Sequence, residues 1–269
     1  MNFYIGVNQY QQLSWVKNHF FFSYQLARKR KHPWMIPDWV EWILDSGSFS
    51  ELKLNGRYTF TPEEYFNTVE LWQPDVFVNM DYMCEPDQLN KTGKTVKEHQ
   101  QLSLEHQIRL TELLEDSWMK THTQLMGVIQ GWTPKEYLEH IDLLTSHDMI
   151  LPYMGIGSVC RRGDTQQILN VIKTVGKRLP DIKLHGFGVK TDILSYPLPH
   201  MILHSVDSQA WCMAGNYGED AHYMEKCLHH EWKRCPKHTE DCRNCGRFMN
   251  AWLEKNLNKI ELWSKQTQL

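Results

Sequence analysis

At 269 residues with a net charge of −3, the chain is not an overtly basic nucleic-acid scaffold. Its 41% hydrophobic and 12% aromatic content is enough for a packed core, which excludes a low-complexity or disordered chain. A mean hydropathy of −0.54, with every apolar run far short of the ~20 residues that cross a bilayer, excludes residence in a membrane. The opening residues MNFYIGVNQY hold no basic stretch followed by an apolar one, so no secretory signal is expected. Seven cysteines, an odd number with four crowded toward one end of the sequence, suit metal binding in a reducing, cytoplasmic setting better than a disulfide framework.

Short apolar, β-branched or aromatic runs at residues 3–7, 42–45, 76–81, 125–130, 153–157, 183–189 and 201–206 read as buried parallel strands. Helix signals lie between them. Thr61-Pro62-Glu63-Glu64 and Thr133-Pro134-Lys135-Glu136 combine a cap, a first-turn proline and early acids, and residues 97–115 form a long helical stretch. Strands alternating with helices predict an α/β fold, a (β/α)8 TIM-type barrel. The eighth strand has no clear place in this pattern. A helix is expected over residues 250–263. Three basic clusters, Arg28-Lys29-Arg30-Lys31-His32, Arg161-Arg162 and Lys233-Arg234, would neutralise phosphates if the fold exposed them on one face.

In such barrels the reacting groups sit at the C-terminal ends of the strands, and here those ends are polar. The runs lead into Asp45-Ser46-Gly47, Asp81, Gln130-Gly131, Gly155-Ile156-Gly157, Gly188 and Asp207-Ser208-Gln209. One aspartate after a strand is ordinarily a helix cap. Three at one barrel mouth repel one another and make poor caps, which points to chemistry.

The segment Cys235-x2-His238-x3-Cys242-x2-Cys245 packs four soft ligands into eleven residues. Thiolates and an imidazole at these spacings suit tetrahedral zinc, and four protein ligands close the shell, so the ion is expected to be structural. Cys227, His222, His229 and His230 lie near enough to replace one member. The chain therefore divides into a barrel over residues 1–215 and a C-terminal zinc-binding subdomain with a terminal helix over residues 216–269.

Several motifs carry a resemblance. Asp45-Ser46-Gly47-Ser48-Phe49 is similar to the DSGGF/Y element of tRNA-guanine transglycosylases, Val128-Ile129-Gln130-Gly131 to their VQG element, and Tyr153-Met154-Gly155-Ile156-Gly157 to their glycine-rich segment. Gly186-Phe187-Gly188-Val189 resembles their MGVG loop. Val206-Asp207-Ser208 stands where the nucleophile is carried, and the zinc cluster follows it. The resemblance spans residues 42–248. The second glycine of DSGG is Ser48, the LPTRxGR stretch is replaced by Ser208-Gln209-Ala210-Trp211-Cys212, the chain is shorter than typical members, and the zinc ligands run in a different order. In these respects the sequence is most like the relatives in phages and bacteria that insert 7-deazaguanines into DNA.

The resemblance implies exchange of guanine in DNA for a free 7-deazaguanine base such as 7-cyano-7-deazaguanine. Asp207 would be the nucleophile and Asp45 the general acid/base. Asp81, Gln130, Gly131, Gly157, Ser46 and Phe49 would contact the base, with stacking from Phe49, Tyr82 or Met83. Gln130 would donate to O6. DNA is the expected partner, with tRNA the alternative substrate and a silent nucleic-acid-binding barrel or a small-molecule enzyme the remaining alternatives. Family members often pair, so a homodimer is allowed.

Overall fold

The computed structural model describes residues 1–217 and 245–266. Its centre is a closed barrel of eight parallel strands in chain order: β1 (Asn2–Val7), β2 (Phe20–Ser23), β3 (Trp42–Asp45), β4 (Val76–Val78), β5 (Gln124–Ile129), β6 (Tyr153–Ile156), β7 (Lys183–Gly186) and β8 (Ser205–Ser208). Around it run α1 (Tyr24–Ala27), α2 (Ser48–Asn55), α3 (Pro62–Trp72), α4 (Pro86–Thr92), α5 (Val96–Asp116), α6 (Pro134–Ser146), α7 (Thr165–Arg178), α8 (Pro197–Ile202), α9 (Ala210–Tyr217) and α10 (Gly246–Gln266).

Local chemistry starts these helices where the sequence placed them. Thr61, Thr95 and Thr133 each accept a hydrogen bond from the backbone N–H three residues on, and Glu64, Glu98 and Glu136 reach back to the threonine N–H. Each such cap is worth about 1 kcal/mol. The strand missing from the sequence pattern is β2, Phe-Phe-Phe-Ser, which runs directly into α1 through the Ser23 cap on Gln25 N–H at 3.3 Å. The expected strand over 201–206 is displaced. Pro197 and Pro199 start a helix that absorbs Met201 and Ile202, and the strand begins only at Ser205.

Two apolar layers separate along each strand because side chains alternate. Phe3, Ile5, Leu44, Phe77, Leu125, Ile129, Met154 and Ile156 face the helices. Tyr4, Ile43, Val76, Val78, Met126, Val128 and Tyr153 fill the lumen, with Phe21 and Phe187 packed on them. The same alternation carries Asp45, two residues past Ile43, and Gln130, two past Val128, into the lumen above that layer.

Closure of β8 onto β1 sets Tyr4 beside Asp207 in register. Trp211, fully buried, donates from its indole to the Gly6 carbonyl at 2.8 Å. The Ser208-Gln209-Ala210-Trp211-Cys212 stretch thus seals the barrel. Phe248, Met249, Trp252 and Leu253 of α10 enter the same core as the barrel helices, with Trp252 against Phe3 at 6.2 Å between ring centres. Among the described residues no helix is long and apolar enough to cross a membrane.

Candidate active site

Asp207 lies inward on β8 and is largely buried. Its Oδ1 accepts two hydrogen bonds, from the Gly188 backbone N–H at 2.7 Å and from His185 Nε2 at 3.1 Å. Gly188 has φ +54, and a Cβ there would meet Cys160 Cβ at 2.8 Å, so glycine is what allows the loop after β7 to aim its N–H at the carboxylate. No protein donor among the described residues takes Oδ2.

His185 is itself held. Its Nδ1 lies 2.7 Å from Ser205 Oγ, and Ser205 Oγ is hydrogen-bonded to the Tyr153 hydroxyl. A carboxylate only accepts, so the protons order themselves along the row: Tyr153 O–H to Ser205, Ser205 O–H to His185 Nδ1, His185 Nε2–H to Asp207. The imidazole is wholly buried, stacked on Phe21 with ring centres 5.8 Å apart and edge-on to Phe187 at 4.7 Å. Phe187 reaches the lumen because residue 155 is glycine; a Cβ at Gly155 would fall 2.1 Å from the Phe187 ring.

The opposite side of the mouth is built differently. Asp45 ends β3 and accepts from the Gly47 N–H at 3.1 Å. Burial pushes its carboxyl up to about 7, and the nearby charges of Asp81 and Asp207 push the same way. Asp81 is likewise pushed up to about 7 by burial, partly offset by the amide of Gln130.

Gln130 is fully buried and gives its Nε2 to Asp81 Oδ2, while its Oε1 accepts from Ser158 Oγ at 2.7 Å. One of its two amide protons therefore orients Asp81 and the other is left for a ligand. The amide lies flat against Gly157, where a Cβ would be 2.2 Å from Gln130 Nε2. Ser158 holds a left-handed φ of 54, a strain of about 1 kcal/mol. Arg162, buried, anchors it by donating from Nε to the Ser158 carbonyl at 2.9 Å. Ser158 Oγ also lies 3.1 Å from Glu85 Oε2, whose carboxyl burial pushes up.

Asp45, Asp81, Gln130, Gly157 and Asp207 thus converge on one mouth, as the sequence suggested. The other named residues sit differently. Ser46 is fully buried with Oγ 3.3 Å from the Tyr58 hydroxyl, which donates to the Asp81 carbonyl at 3.0 Å. Gly131 abuts the start of α6, where a Cβ would be 2.7 Å from Tyr137 N. Phe49 is 39% exposed on α2, with Lys53 at 5.4 Å and Arg161 at 5.6 Å from its ring. Tyr82 and Met83 are buried in a side cluster with Leu52.

Sequence reasoning passed over His185, Phe187, Ser158 and Glu85. The usable signal was alternation: His185 and Phe187 occupy inward positions of the β7 segment, and a histidine at a strand centre is unusual in an apolar lumen. Of the metal ligands, Cys245 is half-buried immediately before α10. Cys235, His238 and Cys242 lie outside the described residues, as do Cys227, His222, His229 and His230.

Comparison with curated proteins gave no match. The profile of one family, described as DeoxyPurine in DNA protein A (DpdA), matches residues 1–267, nearly the whole chain, and the protein therefore belongs to that DNA-guanine transglycosylase family, whose members are transglycosylase-type enzymes of deoxypurine modification in DNA.

Proposed function

We propose that this protein exchanges guanine in DNA for a free 7-deazaguanine base, such as 7-cyano-7-deazaguanine, through a covalent intermediate on Asp207. The observation that carries the reading is the hold on Asp207: two N–H groups take Oδ1, and no protein donor among the described residues takes Oδ2. Oδ2 attacks C1′ of the target deoxynucleotide as the C1′–N9 bond breaks, and the bonding pair leaves with guanine. Asp45 in its acid form supplies the proton the departing base needs. The product is a glycosyl ester on Asp207 and free guanine.

The second half runs in reverse. Asp45, now a carboxylate, removes the proton from N9 of the incoming base, N9 attacks C1′, and the Asp207 carboxylate is released. Two inversions at one carbon restore the original configuration, the logic of retaining glycosidases. A group poised near 7 serves both halves, because each protonation state is well populated at neutral pH.

Asp81 accepts from N1–H and the 2-amino group that guanine and 7-deazaguanines share, and the second amide proton of Gln130 meets O6. His185 is a positioning residue: its donated hydrogen bond fixes the carboxylate plane. Phe187 supplies an apolar ring packed edge-on against His185. A target inside a duplex must be flipped out to reach this lumen, which costs a few kcal/mol.

The C-terminal cysteines and histidine form a structural zinc site in this reading, and a half-buried thiol beside the N-terminus of α10 is a suitable position for one ligand. When bound, the ion ties the segment preceding α10 to itself and takes no part in base exchange. Elemental analysis is expected to find one zinc per chain, reduced by Cys242→Ser together with thermal stability.

The deciding test incubates the protein with radiolabelled guanine and, in parallel, duplex DNA, single-stranded DNA and tRNA. Label in DNA and a denaturation-resistant adduct lost in Asp207→Asn are the expected results. Label confined to tRNA, or absent from every polymer, overturns the proposal.

A further inference from the structure

Five consecutive residues beside the mouth, Arg28, Lys29, Arg30, Lys31 and His32, are all exposed, and the base-exchange chemistry makes no use of them. They leave the barrel at a telling place. β2 ends at Ser23, which pairs with Asp45 in the sheet register, and α1 is a single turn. The side chain of Gln25 on that turn lies against Gly47, next to Asp45, close enough that a Cβ at Gly47 would be 3.0 Å from Gln25 Cγ. The chain then descends the barrel flank from residue 28 to the start of β3 at Trp42.

The charges here are uncompensated. Four cations elsewhere are paired: Arg109 with Glu63 at 2.7 Å and Glu112 at 2.9 Å, Arg178 with Asp142 at 2.9 Å, Lys135 with Glu139 at 3.5 Å, and Arg161 with Asp87 at 3.7 Å. Among the described residues, none of the four cations at 28–31 has a carboxylate within ion-pair distance. The two guanidinium groups are braced on rings instead. Arg28 sits over Tyr24 at 5.3 Å and Phe60 at 5.1 Å, and Arg30 over Tyr10 at 4.3 Å. Cation–π contacts of this kind hold a guanidinium while leaving its N–H edge free for an anion. In a chain whose net charge is −3, a solvated face would be expected to mix signs.

Exposed aromatic surface continues the strip. Trp34 is 42% and Trp39 76% exposed, with Met35 between them at 91%. Cations followed by open aromatic faces are the combination that tracks a nucleic-acid strand, phosphates on the charges and unpaired bases on the rings.

We propose that residues 28–31 form the binding strip for the DNA strand that flanks the target nucleotide, contacting its phosphates as the strand leaves the mouth beside Asp45, with Trp34 and Trp39 stacking bases farther along. The proposal rests on the DNA reading above and deepens it. Four phosphate contacts would contribute about three units to the slope of log affinity against log salt, at ~0.7–0.9 per phosphate. Base exchange itself stays intact once DNA is saturating, because the strip holds substrate and touches no reacting atom.

The test measures fluorescence anisotropy of labelled single-stranded and duplex DNA across a salt series, for the full chain and for Arg28→Gln/Lys29→Gln/Arg30→Gln/Lys31→Gln. The expected result is at least ~10-fold weaker binding and a salt slope lower by about three. The pair Lys29→Glu/Lys31→Glu, whose side chains brace no ring, gives the same direction without disturbing Tyr10, Tyr24 or Phe60. An unchanged slope in both variants, with the parent binding DNA, overturns the strip while leaving the chemistry standing. A lower slope in a protein whose parent incorporates no guanine keeps the strip and overturns the base-exchange reading.

Discussion

The two sides of the barrel mouth carry the same residue type in opposite surroundings. On the β7–β8 side, Asp207 presents one oxygen to two N–H donors, and no protein donor among the described residues takes the other. On the β3–β4 side, Asp45 and Asp81 are driven up to about 7 by burial and by neighbouring negative charge. A carboxylate surrounded by donors is suited to attack carbon; a carboxyl crowded by other acids is suited to hold and release a proton. Environment assigns the roles, and each assignment can be broken separately.

The largest expected effect comes from the donor-held side. Asp207→Asn removes the attacking carboxylate and should lower guanine incorporation by at least ~10⁴-fold, with DNA binding by anisotropy unchanged. Substantial exchange by this variant would merge the two sides into one undifferentiated acid cluster. Next is Asp45→Asn, expected to cost about 10²- to 10⁴-fold. The parent should show a rate maximum near pH 7, falling below it as the base form of Asp45 is lost and above it as the acid form is lost. A flat profile from pH 5 to 9 would detach Asp45 from proton transfer.

A smaller effect sharpens the comparison. His185→Phe deletes one of the two donors on Asp207 and should lower kcat about 10- to 100-fold, the worth of a hydrogen bond to a charged group, with little change in the KM for DNA. His185→Gln carries an amide N–H of similar reach and should recover part of the loss. Equal loss in both variants would mean that the imidazole only fills space.

The last effect is on stability rather than rate. The Asp45 and Asp81 carboxyls rise from an ordinary value of ~4 to about 7 on folding, so the native state binds the extra protons between those limits. Their favourable contribution is complete below about pH 4 and is lost as pH rises through 7. Asp81→Asn should therefore raise Tm by roughly 10 °C or less at pH 8 and leave it unchanged at pH 4. A gain at pH 4 as large as at pH 8 would contradict the burial argument.

Much of this was legible in one dimension. Local rules placed the helix starts at Thr61 and Thr133, because a cap and its glutamate lie three residues apart. The positions of Asp45, Asp81, Gln130 and Asp207 at strand ends followed from the order of apolar runs and from the motifs that resemble guanine transglycosylases. β2 escaped because Phe20-Phe21-Phe22-Ser23 is short and runs into a one-turn helix without punctuation. The strand at 201–206 was misplaced because the apolar residues Met201 and Ile202 finish a proline-started helix, while the true strand opens on the polar Ser205.

By itself the sequence determined the barrel class, the order of its acids and the family resemblance, since all three are written in local patterns and spacing. Only the tertiary structure decided what distinguishes one acid from another. The row from Tyr153 through Ser205 and His185 to Asp207 joins three strands that meet only when the barrel closes. The elevated carboxyls of Asp45 and Asp81 exist only once burial removes water and brings their charges together. Hydrogen-bond geometry and desolvation are properties of enclosed space, which a linear order of residues does not contain.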